Sequence, residues 1–199
     1  MRFLILFLSF LYCQDYNYTN LQFEVNNRQD LDKSFVGLTA PGFYLKDLNN
    51  NDFFLTDNLN KPTIINFFNT QCSPCMEEIP LLIDFYNTYK EKINFVIVDV
   101  AEYSLSSSKN KRETADDVQT VFKRVFKLDA RKLPFPILID QYSVASINYN
   151  VVDAEGIIPR PIPVTFLINS NGIIVWEHRK KIVEEDLTFL KSSFYEIFN

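Results

Sequence analysis

The chain has 199 residues, 47% of them hydrophobic, with 19 Phe and 10 Tyr. That is enough apolar bulk for the core of one ordinary domain, and it argues against disorder except at the edges. A formal net charge of −5 argues against nucleic acid as the main partner, because phosphate binding needs a basic surface. Only Gly37, Gly42, Gly156 and Gly172 are glycines and no two are close, so a phosphate-cradling glycine loop is excluded.

Residues 1–13 read as an export signal. Arg2 is a minimal positive start, and Phe3 to Tyr12, "FLILFLSFLY", is an apolar stretch of signal-peptide length. A spanning helix needs roughly 20 apolar residues, so this stretch is too short to cross a membrane alone. Cys13 closes it and is a candidate lipidation site, although Tyr12 is bulky where such processing favours a small residue. If Cys13 is removed or acylated, the exported protein keeps two thiols, Cys72 and Cys75. An oxidising compartment would hold such a pair as a disulfide unless it is actively reduced. Residues 14–35 are polar, without sustained period, and read as a tether.

The folded domain is expected over residues 36–199. Gly42 to Asp57 carries two short apolar runs around Asn49-Asn50-Asn51-Asp52, the pattern of a β-hairpin. Thr63 to Phe68, "TIINFF", reads as a strand covered on both faces. Beyond the cysteines, Leu82, Phe85, Tyr86 and Tyr89 fall on one helical face, and Pro80 inside that helix is expected to kink it. Ile93 to Val100 reads as another buried strand, and Ser104 to Arg112 as a solvated loop. A second helix follows, capped by Thr114, with Val118, Val121, Phe122 and Val125 inward. Phe135 to Asp140 and Val164 to Asn169 read as strands, the latter turning at Asn171-Gly172 into Ile173 to His178. Glu184 to Phe198 closes the chain as an amphipathic helix with Leu187, Leu190, Phe194 and Ile197 inward. This order predicts an α/β fold, a mixed central sheet flanked by helices.

Cys72 and Cys75 are the residues on which function turns. A structural zinc site needs four ligands, and the chain offers these two cysteines and one distant histidine, His178, read as a solvated strand end. A purely structural disulfide between residues so close closes a tiny loop and removes little entropy from the unfolded chain. A redox pair has a physical mechanism. Cys72, at the first position of a helix, places its sulfur among unpaired backbone N–H groups at the positive end of the dipole. Those groups favour the thiolate and lower a pKa that starts near ~8.5. Cys75 lies one turn on, along the same face. Pro74 suits a first turn that has no use for its missing N–H. Glu77 and Glu78 in that turn oppose the thiolate.

With these residues in view, the chain resembles the thioredoxin superfamily, specifically its TlpA/ResA-like thiol–disulfide oxidoreductases, from about Val36 to Asn199. "VGLTAPGFYLKDL" is similar to the family's opening stretch and hairpin. "KPTIINFFNTQCSPCMEEIP" is similar to its active-site segment, and "FPILID" and "IPVTFLINSNGIIVWEH" to its later strands. The resemblance implies a thioredoxin-like fold with an N-terminal hairpin and an insertion before the cis-proline strand. It makes Cys72 the attacking cysteine, Cys75 the resolving one, and Pro163 the cis-proline beside them. It makes Glu78 an acid assisting proton movement at the buried thiol, against the alternative of an ordinary exposed helix acid. Gln71, Ser73, Pro74 and Ile162 fall around the groove that a partner peptide touches. Asn66 matches a strand position with no chemical role. The chain departs from the pattern at Gln71, where the family usually has Trp, and at Val164, where Thr is common after the proline. Its Asn150 to Pro163 segment is longer and proline-rich.

The resemblance implies an exported oxidoreductase that reduces or exchanges disulfides in extracytoplasmic proteins, including the haem-attachment cysteines of apocytochromes c. A membrane thiol-reducing transporter would supply its electrons. No cofactor or metal is implied, and the membrane enters only through a lipid anchor at Cys13. Two other functions fit the same fold. A thiol peroxidase would oxidise Cys72 with peroxide; related peroxidases place Thr three residues before that Cys, whereas Thr70 is two before. A non-catalytic binding module would merely keep the disulfide.

Overall fold

A computed structural model describes residues 34–100, 113–152 and 161–198, with side chains described to residue 192. The export signal, Cys13 and most of the tether lie outside the described residues. So do the Ser104 to Arg112 loop and most of the proline-rich segment before Pro163.

Seven strands form one sheet: β1 (Tyr44–Asp47), β2 (Asp52–Phe54), β3 (Thr63–Phe68), β4 (Asn94–Asp99), β5 (Ile137–Ile139), β6 (Val164–Ile168) and β7 (Ile174–His178), in the order β2-β1-β5-β4-β3-β6-β7. β3, β4 and β5 run parallel, while β1, β6 and β7 pair antiparallel to their neighbours. The described helices are α1 (Ser73–Tyr89), α2 (Ala115–Val125), α3 (Val144–Asn148) and α4 (Glu184–Phe198).

Strand alternation splits the core into two layers. On β3, Ile64 and Phe68 face α1, α2 and α4 with Ile97, Leu167, Ile79 and Phe122. Ile65 and Phe67 point the other way, toward Val98, Phe166 and the buried ring of Tyr149. This parity sends Asn66 of β3, its register partner Thr165 of β6, and Asp99 of β4 to the helix-covered side. All three are fully buried. Burying a polar group costs free energy unless it finds a partner, so these positions foreshadow the site.

The hairpin β1–β2 is present, with Asp47 Oδ1 accepting the backbone N–H groups of Asn49 and Asn51, each at 2.8 Å. Thr114 caps α2 through a reciprocal box with Asp117. Its inward stripe is shorter than expected. Val125 is 51% exposed because the helix ends there, and Phe126 of the C-cap packs on the core instead. The β6–β7 turn is longer than a two-residue Asn-Gly turn. Gly172, at φ +76°, donates to Asn169 O at 2.9 Å, and Asn169 Oδ1 accepts from Asn171 and Ile173. α3, only five residues long, has too little periodicity to stand out in sequence. Of the expected stripe on α4, Leu187 and Leu190 are buried; Phe194 and Ile197 lie beyond the described side chains.

Candidate active site

Cys72 and Cys75 are joined by a disulfide, with S–S 2.00 Å. Cys72 is the N-cap of α1, one residue ahead of the helical position expected from sequence. Its φ/ψ of −85°/105° is extended, and its Sγ accepts the Cys75 N–H at 3.2 Å. The sulfur therefore takes the place of the oxygen that usually caps a helix, among the unpaired N–H groups of the first turn. Pro74 sits in that turn without loss. The helix continues through exposed Pro80 to Tyr89.

The two sulfurs differ in access. Cys72 is half-buried, with exposed Gln71, Ser73 and Pro74 around it, whereas Cys75 is fully buried. The Ile162–Pro163 bond is cis, and Ile162 O lies 3.5 Å from Cys72 Sγ. The structure thus brings Gln71, Ser73, Pro74, Ile162 and Pro163 to the rim of the disulfide.

Glu78 follows Cys75 by three residues, one helical turn on the same face. It is 1% exposed, not a solvated helix acid. Glu78 Oε1 accepts Asn66 Nδ2 at 2.8 Å, and Oε2 accepts the Ile182 N–H at 2.6 Å. Asn66 Nδ2 also donates to Thr165 Oγ1 at 2.9 Å. Burial raises the Glu78 carboxyl and these two hydrogen bonds lower it; burial prevails and pushes it up to about 7. An acid poised there can both take and release a proton near neutral pH. The neighbouring Glu77 has a different environment. It accepts Lys181 Nζ at 2.8 Å and Ser73 Oγ at 3.0 Å, and the lysine above all holds its carboxyl below the usual range.

Two expectations need correction. Asn66 is no inert strand residue: it is the side-chain donor that orients Glu78. The polar Asn inside the apolar run "TIINFF" was the signal, since it must be satisfied within the core. His178 is no solvated strand end. It is buried, stacks on Trp176 at 5.0 Å between centroids, and has Nε2 at 3.4 Å from Asp186 Oδ2. Burial lowers its pKa. Thr70 donates its hydroxyl to Glu113, so that hydroxyl is committed away from any peroxide at Cys72.

The chain matches the model of the AhpC/TSA family over residues 36–177. The chain belongs to that family. Among curated relatives, the thiol-disulfide oxidoreductase ResA of Geobacillus kaustophilus is 34% identical over 161 residues, covering 78% of each chain. ResA of Halalkalibacterium halodurans is also 34% identical, covering 78% of this chain and 77% of the relative. Among solved structures, a putative thiol:disulfide interchange protein DsbE from Chlorobium tepidum superposes with TM-score 0.62 at 19% identity, covering 82% of this chain and 98% of that one. StoA from Bacillus subtilis gives TM-score 0.55 at 24% identity, covering 76% and 97%. The fold is thioredoxin-like, and this AhpC/TSA-family chain is a thiol–disulfide oxidoreductase. Among the described residues, no helix is long and apolar enough to cross a membrane.

Proposed function

We propose that this chain is an exported reductase of protein disulfides. Residues 1–13 would direct export, residues 14–35 would tether the domain, and residues 36–199 would carry the activity. The observation that carries the reading is the buried Glu78, one turn behind Cys75 and poised near neutrality.

In the reduced enzyme, the Cys72 thiolate attacks one sulfur of a substrate disulfide. A mixed disulfide forms, and the released substrate thiolate takes a proton from water. Cys75 passes its thiol proton to the Glu78 carboxylate and attacks Cys72 Sγ. The second substrate sulfur leaves as thiolate and is protonated in turn, with Glu78 able to return its proton to solvent. Two electrons and two protons pass to the substrate, and the enzyme is left with the Cys72–Cys75 disulfide. A dithiol donor, proposed to be a membrane thiol-reducing transporter, restores the reduced form. Ile162 O beside Cys72 offers an acceptor to a substrate backbone, since Pro163 cannot pair on that side. Extracytoplasmic proteins are the proposed substrates, apocytochromes c among them. A lipid at Cys13 would hold the enzyme at the membrane. The export-like stretch and the ResA relatives support this assignment.

Trapping tests it. Tagged Cys75→Ser protein expressed in its own cells is expected to accumulate mixed disulfides through Cys72. Adducts with apocytochromes c or their maturation partners support the cytochrome substrate, and adducts with many exported proteins support general disulfide handling. Insulin-disulfide reduction unchanged in Cys72→Ser protein would reject the function itself.

A further inference from the structure

A second acid, half-buried Glu113, is hydrogen-bonded to the loop that carries Cys72. We propose that Glu113 is a positioning residue for Cys72: its carboxylate fixes the Asn69–Gln71 loop and sets the charge beside which the attacking sulfur works. The proposal rests on the reading of Cys72 as the attacking cysteine.

The loop joins β3 to α1, and its last hydrogen bond is from the Cys72 N–H to Asn69 O at 3.1 Å. Asn69 is buried and fully engaged. Its Oδ1 accepts the Gln71 N–H at 2.9 Å, and its Nδ2 donates to Val100 O at 3.0 Å and to Glu113 Oε2 at 3.1 Å. The other oxygen of Glu113 accepts the Thr70 hydroxyl. One carboxylate, placed just before α2, therefore binds two successive residues of the loop that carries Cys72. The partners are 43 and 44 positions apart in sequence, so local chain geometry does not account for the contact.

Behind Glu113 stands Asp99, at the end of β4 and fully buried. Among the described residues, neither of its oxygens has a hydrogen-bond partner, and the charge of Glu113 acts on it. Burial first, and the Glu113 charge second, push Asp99 well above the usual carboxylate range. Asp99 is therefore the acid that holds a proton more readily, while the Glu113 carboxyl is the one that accepts from Thr70 and Asn69. Burial raises Glu113 as well, opposed by its bonds to Thr70. Asp117 of α2 adds negative charge toward both acids, and Asp140 at the end of β5 toward Asp99. Glu77, on α1 with Cys75, pairs with Lys181, and Glu78 accepts from the Ile182 N–H. The Glu113 charge opposes the helix N-terminus in its effect on a Cys72 thiolate.

The test uses reduced Cys75→Ser protein and follows iodoacetamide alkylation of Cys72 against pH, together with mixed-disulfide formation on a protein disulfide. Glu113→Gln removes the charge, so the alkylation midpoint is expected to fall by about half a pH unit or more. Asp99→Asn replaces a buried acid pushed toward its neutral form by a neutral amide and is expected to leave the midpoint in place. Glu113→Ala is expected to lower the midpoint too. It should also slow mixed-disulfide formation about tenfold at equal thiolate fraction, because the loop loses both bonds. Wild-type midpoint and rate in both Glu113 variants overturn the proposal, as does an equal shift in Asp99→Asn. If Glu113→Ala does not fold, the midpoints of the Gln and Asn variants decide. Failure of wild-type protein to exchange disulfides would instead reject the proposed function, since alkylation needs no substrate.

Discussion

Two acids are tied to the active-site segment, fully buried Glu78 and half-buried Glu113, and they are held by different means. Glu78 is held by neutral donors, the Asn66 amide and the Ile182 N–H. Glu113 accepts from Asn69 and Thr70, and fully buried Asp99 feels its charge. The first arrangement leaves one acid that can change its charge near neutral pH. In the second, burial and the Glu113 charge push Asp99 well above the usual carboxylate range. The difference supports the different work proposed for them: proton exchange beside buried Cys75, and placement of the loop that carries Cys72.

The largest effect expected is on stability. Glu78 is raised in the folded protein from its ordinary 4.5 to about 7. A raised acid stabilises the fold fully below its unfolded value, and that contribution is lost as pH rises through the folded value. Between about pH 4.5 and 7 the wild type should therefore lose about 3 kcal/mol relative to Glu78→Gln. Urea melts of both proteins at several pH values check this, and parallel curves would break the contrast with Glu113. Kinetics come next. Glu78→Gln should slow resolution of the mixed disulfide by Cys75 about 100-fold and abolish the rise in rate through about pH 7, as seen in single-turnover quench. An unchanged profile would make the acid structural only.

Smaller effects sharpen the same contrast. Asn66→Ala removes the donor to both Glu78 and Thr165 and should cost about 2 kcal/mol in denaturant melts. It should also move the Glu78 midpoint further up, because a bond that favours the charged form is gone. Thr165→Val touches Asn66 only and should cost about 1 kcal/mol, with the Glu78 midpoint nearly in place. If the two variants shift the midpoint equally, Asn66 is not the residue that orients the acid.

Much of this architecture is legible in the sequence because it is written in local patterns. The uninterrupted run of β3, the capping box at Thr114 and the Cys-x-x-Cys spacing ahead of a helix each announce themselves within a few residues. The buried polar clusters do not. Glu78 reads equally well as an exposed acid until Asn66 and Ile182, 12 and 104 positions away, are brought against it. Asn66 itself carries a readable signal, a polar residue amid "TIINFF". Asp99 within "VIVDV" carries the same signal, but nothing in its local sequence points to Glu113, 14 positions on, as the charge that acts on it. His178 looks like a solvated strand end because only the fold shows α4 bringing Asp186 beside it.

Glu78 is a buried acid poised near neutrality one helical turn from Cys75. The most direct test is the ¹³C chemical shift of the Glu78 side-chain carboxyl in the oxidised protein, followed across the pH range and assigned by its loss in Glu78→Gln. A midpoint of about 7 is the expected result. A midpoint near the ordinary value of 4.5 would contradict the account and leave Cys75 without its proton acceptor.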